Sequence, residues 1–169
     1  METISRKDLA IAWLAGMIDA DGCISFHRNA NNRRTVTTSY RVPYIAITTT
    51  CGETIKYITD LYEELGVPYY LKHKNNTNPT TNKPIWVITT QGLKRSKRIL
   101  PLVEPYLVTK KKEARLVLEF IEIRERLART FQHDPRETAI SDELRKIKAN
   151  RQIVKNPQRL YARLHWEKI

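Results

Sequence analysis

The residues of this chain best equipped for chemistry are the acids of Asp19-Ala20-Asp21-Gly22, which close a helical-looking apolar stretch over residues 7–20. A helix ends in unsatisfied carbonyls that carry roughly half a negative charge, so a carboxylate there sits in an unfavourable field. A divalent cation beside it relieves that repulsion. Magnesium takes oxygen ligands, keeps several waters, and is often held by one or two carboxylates plus a substrate phosphate. The same two acids also fit an exposed acidic turn or a capping aspartate, and the D-x-D spacing alone does not separate these readings. His27 and His73 have no ligand partner at a recognised zinc spacing, and both read as polar residues of a binding face. Cys23 and Cys51 are too few for a four-ligand zinc site or a disulfide framework.

The elements that must position these residues follow from periodicity. Residues 7–20 read as a helix with Leu9, Trp13, Gly16 and Met17 at helical spacing. Ala12, Gly16 and Ala20 form a row of small residues four apart, a flat stripe that lets a second helix approach closely. After Gly22 the period changes to two: Ile24 and Phe26 alternate with Ser25, His27 and Asn29, a strand with one apolar and one polar face. Residues 29–39 are polar and loop-like, and 40–50 are β-branched and aromatic, a second strand in which Pro43 marks an edge or a bulge. Tyr44 and Ala46 compete there with Ile45 and Ile47 for the core side. Residues 53–65 return to helical period and are stopped by Gly66 and Pro68. Tyr69–Lys74 and Pro84–Thr90 read as strands around a turn-rich segment. Residues 92–107 read as a short helix with a proline-broken connection, and a long amphipathic helix is expected over Thr109–Arg129, with Ala114, Val117, Leu118, Ile121 and Leu127 on one side. Two shorter helices are expected in 136–169.

The order is α-β-β-α-β-β-α followed by more helix. The fold class is therefore α+β: a four-stranded antiparallel sheet backed by helices on one face, with a polar opposite face. Residues 1–130 form the core domain, and 131–169 a helical extension of the same domain.

Charge narrows the partner. With 30 Lys+Arg against 18 Asp+Glu the net charge is +12, which favours a polyanion, while 41% hydrophobic residues exclude a disordered basic tail. No apolar run approaches the roughly 18 residues of a membrane span, and no basic amphipathic surface helix stands out, so nucleic acid is expected and a membrane is not. No signal peptide is read at the start of the chain, and a cytoplasmic protein is expected. Gly22–Gly52 holds no acid, and Leu65–Lys112 holds ten basic residues against Glu104. Both nearly acid-free segments contain the hairpins. The exposed face of the sheet is thus expected to carry the positive field, with acids confined to helical blocks.

Leu14-Ala15-Gly16-Met17-Ile18-Asp19-Ala20-Asp21-Gly22 resembles the LAGLIDADG motif, departing from it only at Met17. The resemblance extends over the order of elements to about residue 130. It implies a LAGLIDADG homing endonuclease, an intron- or intein-associated enzyme that makes a double-strand break in a long target site. A single copy of the motif implies a homodimer, with the motif helices of two subunits packed together through Ala12, Trp13, Gly16 and Ala20. The implied partner is double-stranded DNA with a long pseudo-palindromic site. The implied cofactor is Mg2+, with Mn2+ able to substitute, held by the Asp21 carboxylate and the Ala20 carbonyl. Asp19 is implied to be a helix-end hydrogen-bonding residue. Both strands would be cut across the minor groove, leaving short 3′ overhangs. The scaffold also serves as an RNA maturase assisting intron splicing, the alternative function. In a eukaryotic host the protein would be organellar.

The family also places a basic residue just before its third long helix, where it supports developing charge. Pro105-Tyr106-Leu107-Val108-Thr109-Lys110-Lys111-Lys112-Glu113-Ala114 matches that position, with Lys110 the first choice and Lys112 the second; a lysine cluster binding DNA phosphate is the competing reading. Where dimeric relatives often have a water-positioning Gln, Thr50 stands, and Thr54 stands where they often have Arg or Lys. DNA contacts are expected from Ser25, His27, Arg28, Asn29, Arg41, Tyr70, Lys72 and Lys74 on the strands. Arg33, Arg34, Asn75 and Lys83 are expected to contribute from the hairpin loops, and Lys112 from the helix start. Arg reading guanine and Asn reading adenine are the geometrically good pairings. Many such contacts go to phosphate instead, which positions without specifying.

Overall fold

The computed structural model describes residues 5–30, 39–74, 84–127 and 134–152. The chain divides into two compact units, Met1–Gln132 and His133–Ile169. In the first, helix α1 (Arg6–Asp21) leads directly into strand β1 (Gly22–Ala30), which pairs with β2 (Ser39–Thr49). Helix α2 (Gly52–Glu64) follows, then β3 (Tyr70–Lys74) and β4 (Ile85–Gln91). Helix α3 (Leu93–Val103) passes through a single 3-10 turn, Glu104–Tyr106, before α4 (Lys111–Arg126). The sheet order is β1-β2-β4-β3 with every neighbouring pair antiparallel, so each hairpin supplies one central and one edge strand.

Local chemistry accounts for the helix ends. The Ser5 hydroxyl accepts the Asp8 N–H at 3.1 Å and donates to the Asp8 carboxylate at 2.7 Å, a reciprocal cap on α1. After α2, Gly66 takes φ +63°, the left-handed conformation that glycine adopts without a Cβ penalty. Its N–H and that of Val67 then reach the carbonyls of Glu63 and Tyr62, which would otherwise be orphaned. Helix α3 continues through Pro101 to Val103, and the proline-broken connection expected in 92–107 falls at Glu104-Pro105. The carbonyl deprived of a donor by Pro101 is that of Lys97, an exposed residue, and the pitch tightens only at Glu104-Pro105.

The core lies between the sheet and the helices. Ile24, Ile45, Ile47 and Ile88 from the strands meet Ile58, Leu61, Ile99, Leu100, Val117, Phe120 and Ile121, all buried. Phe26 sits 4.6 Å from Phe120, centroid to centroid, which ties β1 to α4. Helix α1 buries Ile11, Leu14, Ala15 and Ile18, not the Leu9, Trp13, Gly16 and Met17 set singled out by spacing. It is apolar on both sides, so periodicity cannot choose the inward face, and such a helix has two faces to cover. Strand β1 also runs to Ala30, into residues expected to be loop, because hairpin pairing extends through Ala30 opposite Ser39. The turn-rich segment 75–83 lies outside the described residues.

In the second unit a single helix, α5 (Pro135–Gln152), is described. Asp134 caps it by accepting the Arg136 N–H at 2.8 Å, and Pro135 occupies the first turn, where its missing donor costs nothing. Arg145 pairs with Asp142 at 3.1 Å along its surface. Residues 153–169, which hold the rest of the segment expected to form two shorter helices, lie outside the described residues.

Candidate functional site

Asp21 is the last residue of α1, and Gly22 is the first of β1, so this exposed carboxylate stands at the joint between a half-buried helix and an edge strand. The joint is tight. The Gly22 N–H closes the helix on the Ile18 carbonyl, and its φ of −89° is ordinary extended backbone. What demands glycine is space: a Cβ there would lie 2.6 Å from both Cα and O of Ile18.

Asp19 points the other way, into the segment ahead of α4. Its Oδ2 accepts the N–H of Val108 at 2.6 Å and of Thr109 at 3.2 Å. Its Oδ1 accepts the Thr109 hydroxyl at 2.9 Å and the Lys110 N–H at 2.8 Å. The Lys110 ammonium in turn donates to the main-chain carbonyl of Asp19. A helix N-terminus presents unsatisfied donors and a positive dipole end, so an acid misplaced at the end of α1 is well placed at the start of α4. Burial pushes the Asp19 carboxyl up, but the bonds from Val108, Lys110 and Thr109 outweigh it and hold it below the usual carboxylate value. Asp19 is therefore a latch, and Asp21 is the acid open to solvent.

The last turn of α1 offers oxygen donors only. Beside the Asp21 carboxylate lies the Ala20 carbonyl, in the turn where a helix has no internal donor to give. Among the described residues no three His, Cys, Asp or Glu side chains converge into a metal cage. Few oxygens and no soft ligand suit magnesium, which completes its shell with waters and substrate phosphate. Gly22 pairs with Ile47, so Thr50, just past the end of β2, lies at the same end of the hairpin as Asp21. Thr50 is exposed, Thr54 is half-buried in the first turn of α2, and the Thr49 hydroxyl accepts the Cys51 N–H at 3.1 Å.

Register settles the two faces of the sheet. Ser25 lies opposite Tyr44 and His27 opposite Val42, and the same face carries Ala46, Thr89, Gln91, Tyr70 and Lys72. Ile45 and Ile47 turn inward, resolving the ambiguity in β2. His73 is a correction: it pairs with Trp86 on the helix side, ring centroids 4.3 Å apart, not on the polar face. Leu71 shares that side but is 42% exposed, because β3 is an edge strand beyond the helices' cover. Arg41, opposite Arg28, falls on the inward alternation and lines a groove with Gln91, Lys94 and Arg95 at the start of α3. A neighbouring open groove of about 570 Å³ holds Tyr70, Lys72, Thr89, Gln91 and Arg95. Arg95 stacks 4.7 Å above the Tyr70 ring, a cation held flat on an aromatic. Sequence reasoning missed Tyr44, Thr89, Gln91 and Arg95; counting parity outward from the buried Ile88 would have found Thr89 and Gln91. Lys112 is exposed in the first turn of α4. Arg33, Arg34, Asn75 and Lys83 lie outside the described residues, and for Arg28, Asn29 and Lys74 only the strand position is described.

The outer face of α1 is bare and apolar. Leu9 is 58% and Trp13 37% exposed, Gly16 and Ala20 are exposed, and Ala12 is half-buried. Trp13 meets Tyr57 of α2 edge to face at 4.7 Å. A Cβ on Gly16 would meet nothing within 4 Å, so this part of the helix is open to a close neighbour.

Residues 8–121 match the family described as LAGLIDADG-like domain. No curated protein matches the sequence. Among solved structures, the homing endonuclease I-CvuI in complex with its target is similar with a TM-score of 0.61 at 20% identity, over 83% of each chain. An archaeal intron-encoded homing endonuclease complexed with DNA is similar with a TM-score of 0.62 at 18% identity, over 84% of this chain and 86% of that one. The homing endonuclease I-TnaI is similar with a TM-score of 0.53 at 13% identity, over 81% of this chain and 97% of that one. At these identities the likeness is one of fold.

Proposed function

The chain belongs to the LAGLIDADG-like domain family, and from that premise we propose that it is a site-specific DNA endonuclease that works as a homodimer. The observation that carries this reading is the exposed Asp21 carboxylate, set at the joint between a helix with a bare apolar face and the outward polar face of the sheet. A purely binding protein gains nothing from a carboxylate beside phosphate; a phosphodiester hydrolase does.

The outward face of the sheet binds the duplex. Lys72 and Arg95 meet phosphate charge, while Ser25, His27, Tyr44 and Gln91 offer polar groups to base edges. Asp21 and the Ala20 carbonyl would hold Mg2+, with Mn2+ as a substitute. When bound, such an ion neutralises the scissile phosphate and acidifies a water. Lys110 adds positive charge at the same helix end, where charge develops on the phosphate oxygens. A hydroxyl of Thr49, Thr50 or Thr54 would orient water. A second copy docked through Ala12, Trp13, Gly16 and Ala20 sets a second Asp21 about a two-fold axis. Each then cuts one strand of a pseudo-palindromic site across the minor groove, leaving short 3′ overhangs.

The test is selection of cleaved molecules from a randomised duplex library with full-length protein and magnesium. A recovered two-fold site, cut by wild type and bound but uncut by Asp21→Asn, supports the reading. An uncut library with magnesium or manganese overturns it. Stimulated intron splicing that survives Asp21→Asn would mark the maturase alternative.

A further inference from the structure

The two ends of the candidate centre are far apart in sequence but joined by one side chain. Lys110 is 91 residues from Asp19, yet both its main-chain N–H and its ammonium bond to that residue. All four hydrogen bonds accepted by the Asp19 carboxylate come from Val108, Thr109 and Lys110, the three residues that precede α4. Val108 is 83% exposed and Thr109 is exposed too, so past the buried Leu107 these two side chains pack little. Asp19 holds them, and it stands two residues before Asp21 on the same helical turn. The geometry therefore points to Asp19 as a positioning residue: its carboxylate sets the path of residues 108–110, and that path keeps the Lys110 ammonium at the helix end that carries Asp21.

The inference rests on the endonuclease reading for its effect on cleavage, but not for the latch itself. Because a displacement of about 1 Å in a catalytic group can cost about 100-fold, loss of the latch is expected to lower cleavage through Lys110 and not through DNA affinity. Asp19→Asn keeps the size of the side chain but turns an amide N–H toward donors that need an acceptor. Thr109→Val removes one of the four bonds and leaves the three main-chain ones.

The experiment compares wild type with Asp19→Asn, Thr109→Val, Lys110→Met and the Asp19→Asn/Lys110→Met double variant, all full length. Three quantities are measured: single-turnover cleavage of the selected site with magnesium, affinity for that site with calcium replacing magnesium, and hydrogen exchange of the 108–110 amides. Asp19→Asn is expected to slow cleavage about 10- to 100-fold and to speed exchange at the three amides, with affinity held within about twofold. Thr109→Val should show a smaller loss, and the double variant should be no slower than Lys110→Met alone, as expected of residues acting through one another. Multiplying losses in the double variant, unchanged exchange, or wild-type cleavage by Asp19→Asn each overturns the inference. If Asp19→Asn does not fold, the Thr109→Val arm decides: wild-type cleavage and exchange there refute the latch. If wild type itself cuts nothing, the endonuclease reading fails, while the exchange data still report whether the latch exists.

Discussion

Gly22→Ala is a single added methyl placed where nothing can give way. The new Cβ would stand 2.6 Å from Cα and O of Ile18, atoms of a helix whose own side chain is fully buried. Restoring an ordinary 3.4 Å contact requires 3.4 − 2.6 = 0.8 Å of backbone movement. That movement must be shared between the last turn of α1 and the first residue of β1, which is pinned opposite Ile47. Overpacking of this kind costs about 1–3 kcal/mol. At about 2–4 °C per kcal/mol for a chain of this size, the melting temperature should fall by about 2–12 °C. Asp21 is the neighbouring residue and moves with the joint, so cleavage should fall by up to about 100-fold, more than the stability loss alone explains at a temperature where the variant remains folded. Thermal unfolding by circular dichroism and single-turnover cleavage at 25 °C, ~30 °C below a typical domain's transition, measure the two effects. Gly52→Ala is the control: a Cβ there meets nothing within 4 Å, so this variant should melt no lower than wild type and cut as fast. A Gly22→Ala protein that melts and cuts like wild type would refute the close-approach account.

Two further outcomes follow from the outer face of α1 and from the buried phenol of α2. Gly16→Arg should fold normally, because the position is open, but sediment as a monomer and lose cleavage; a variant that sediments as a dimer would count against the α1 stripe as the interface. Burial pushes the Tyr62 phenol up to about 12 from 10.0, so it stays protonated in the fold after the unfolded chain ionises. Its raised value makes stability complete below pH 10 and progressively lost as pH climbs toward 12. Urea titrations across that window should show a shallower fall for Tyr62→Phe than for wild type, and parallel curves would contradict the assignment.

The helices and strands were largely legible because their signals are local. Arg6–Asp21 exceeds the helix read over 7–20 by one residue at each end, and Gly66 stops α2 where its left-handed conformation is needed. The alternation of Ile24 and Phe26 against Ser25 and His27 correctly divided β1. Pattern reading failed where a segment was apolar on both alternations or both helix faces. In β2, Tyr44 and Ala46 against Ile45 and Ile47 could not be ordered without the register, and in α1 the exposed row was more conspicuous than the buried one. Leu71 is exposed because alternation gives a side of the sheet but not how far the helices extend over it, whereas His73, two residues on, shares the side of Leu71 and does not belong to the polar face.

Nine consecutive residues, 14–22, carry the family. Hydrophobic period carries the α+β order, and the hairpin segments are legible as free of acids. The resemblance implies different roles for the two acids of that motif, but no local signal shows the contact that separates them. Asp19 and Asp21 have the same chemistry, two residues apart, and only the docking of the 108–110 segment against the end of α1 occupies one and leaves the other exposed. Periodicity reports interactions a few residues apart, whereas the Asp19–Lys110 contact spans 91. A helix dipole that is unfavourable within α1 becomes favourable once the N-terminus of α4 is brought to it, and only the packed chain brings the two together.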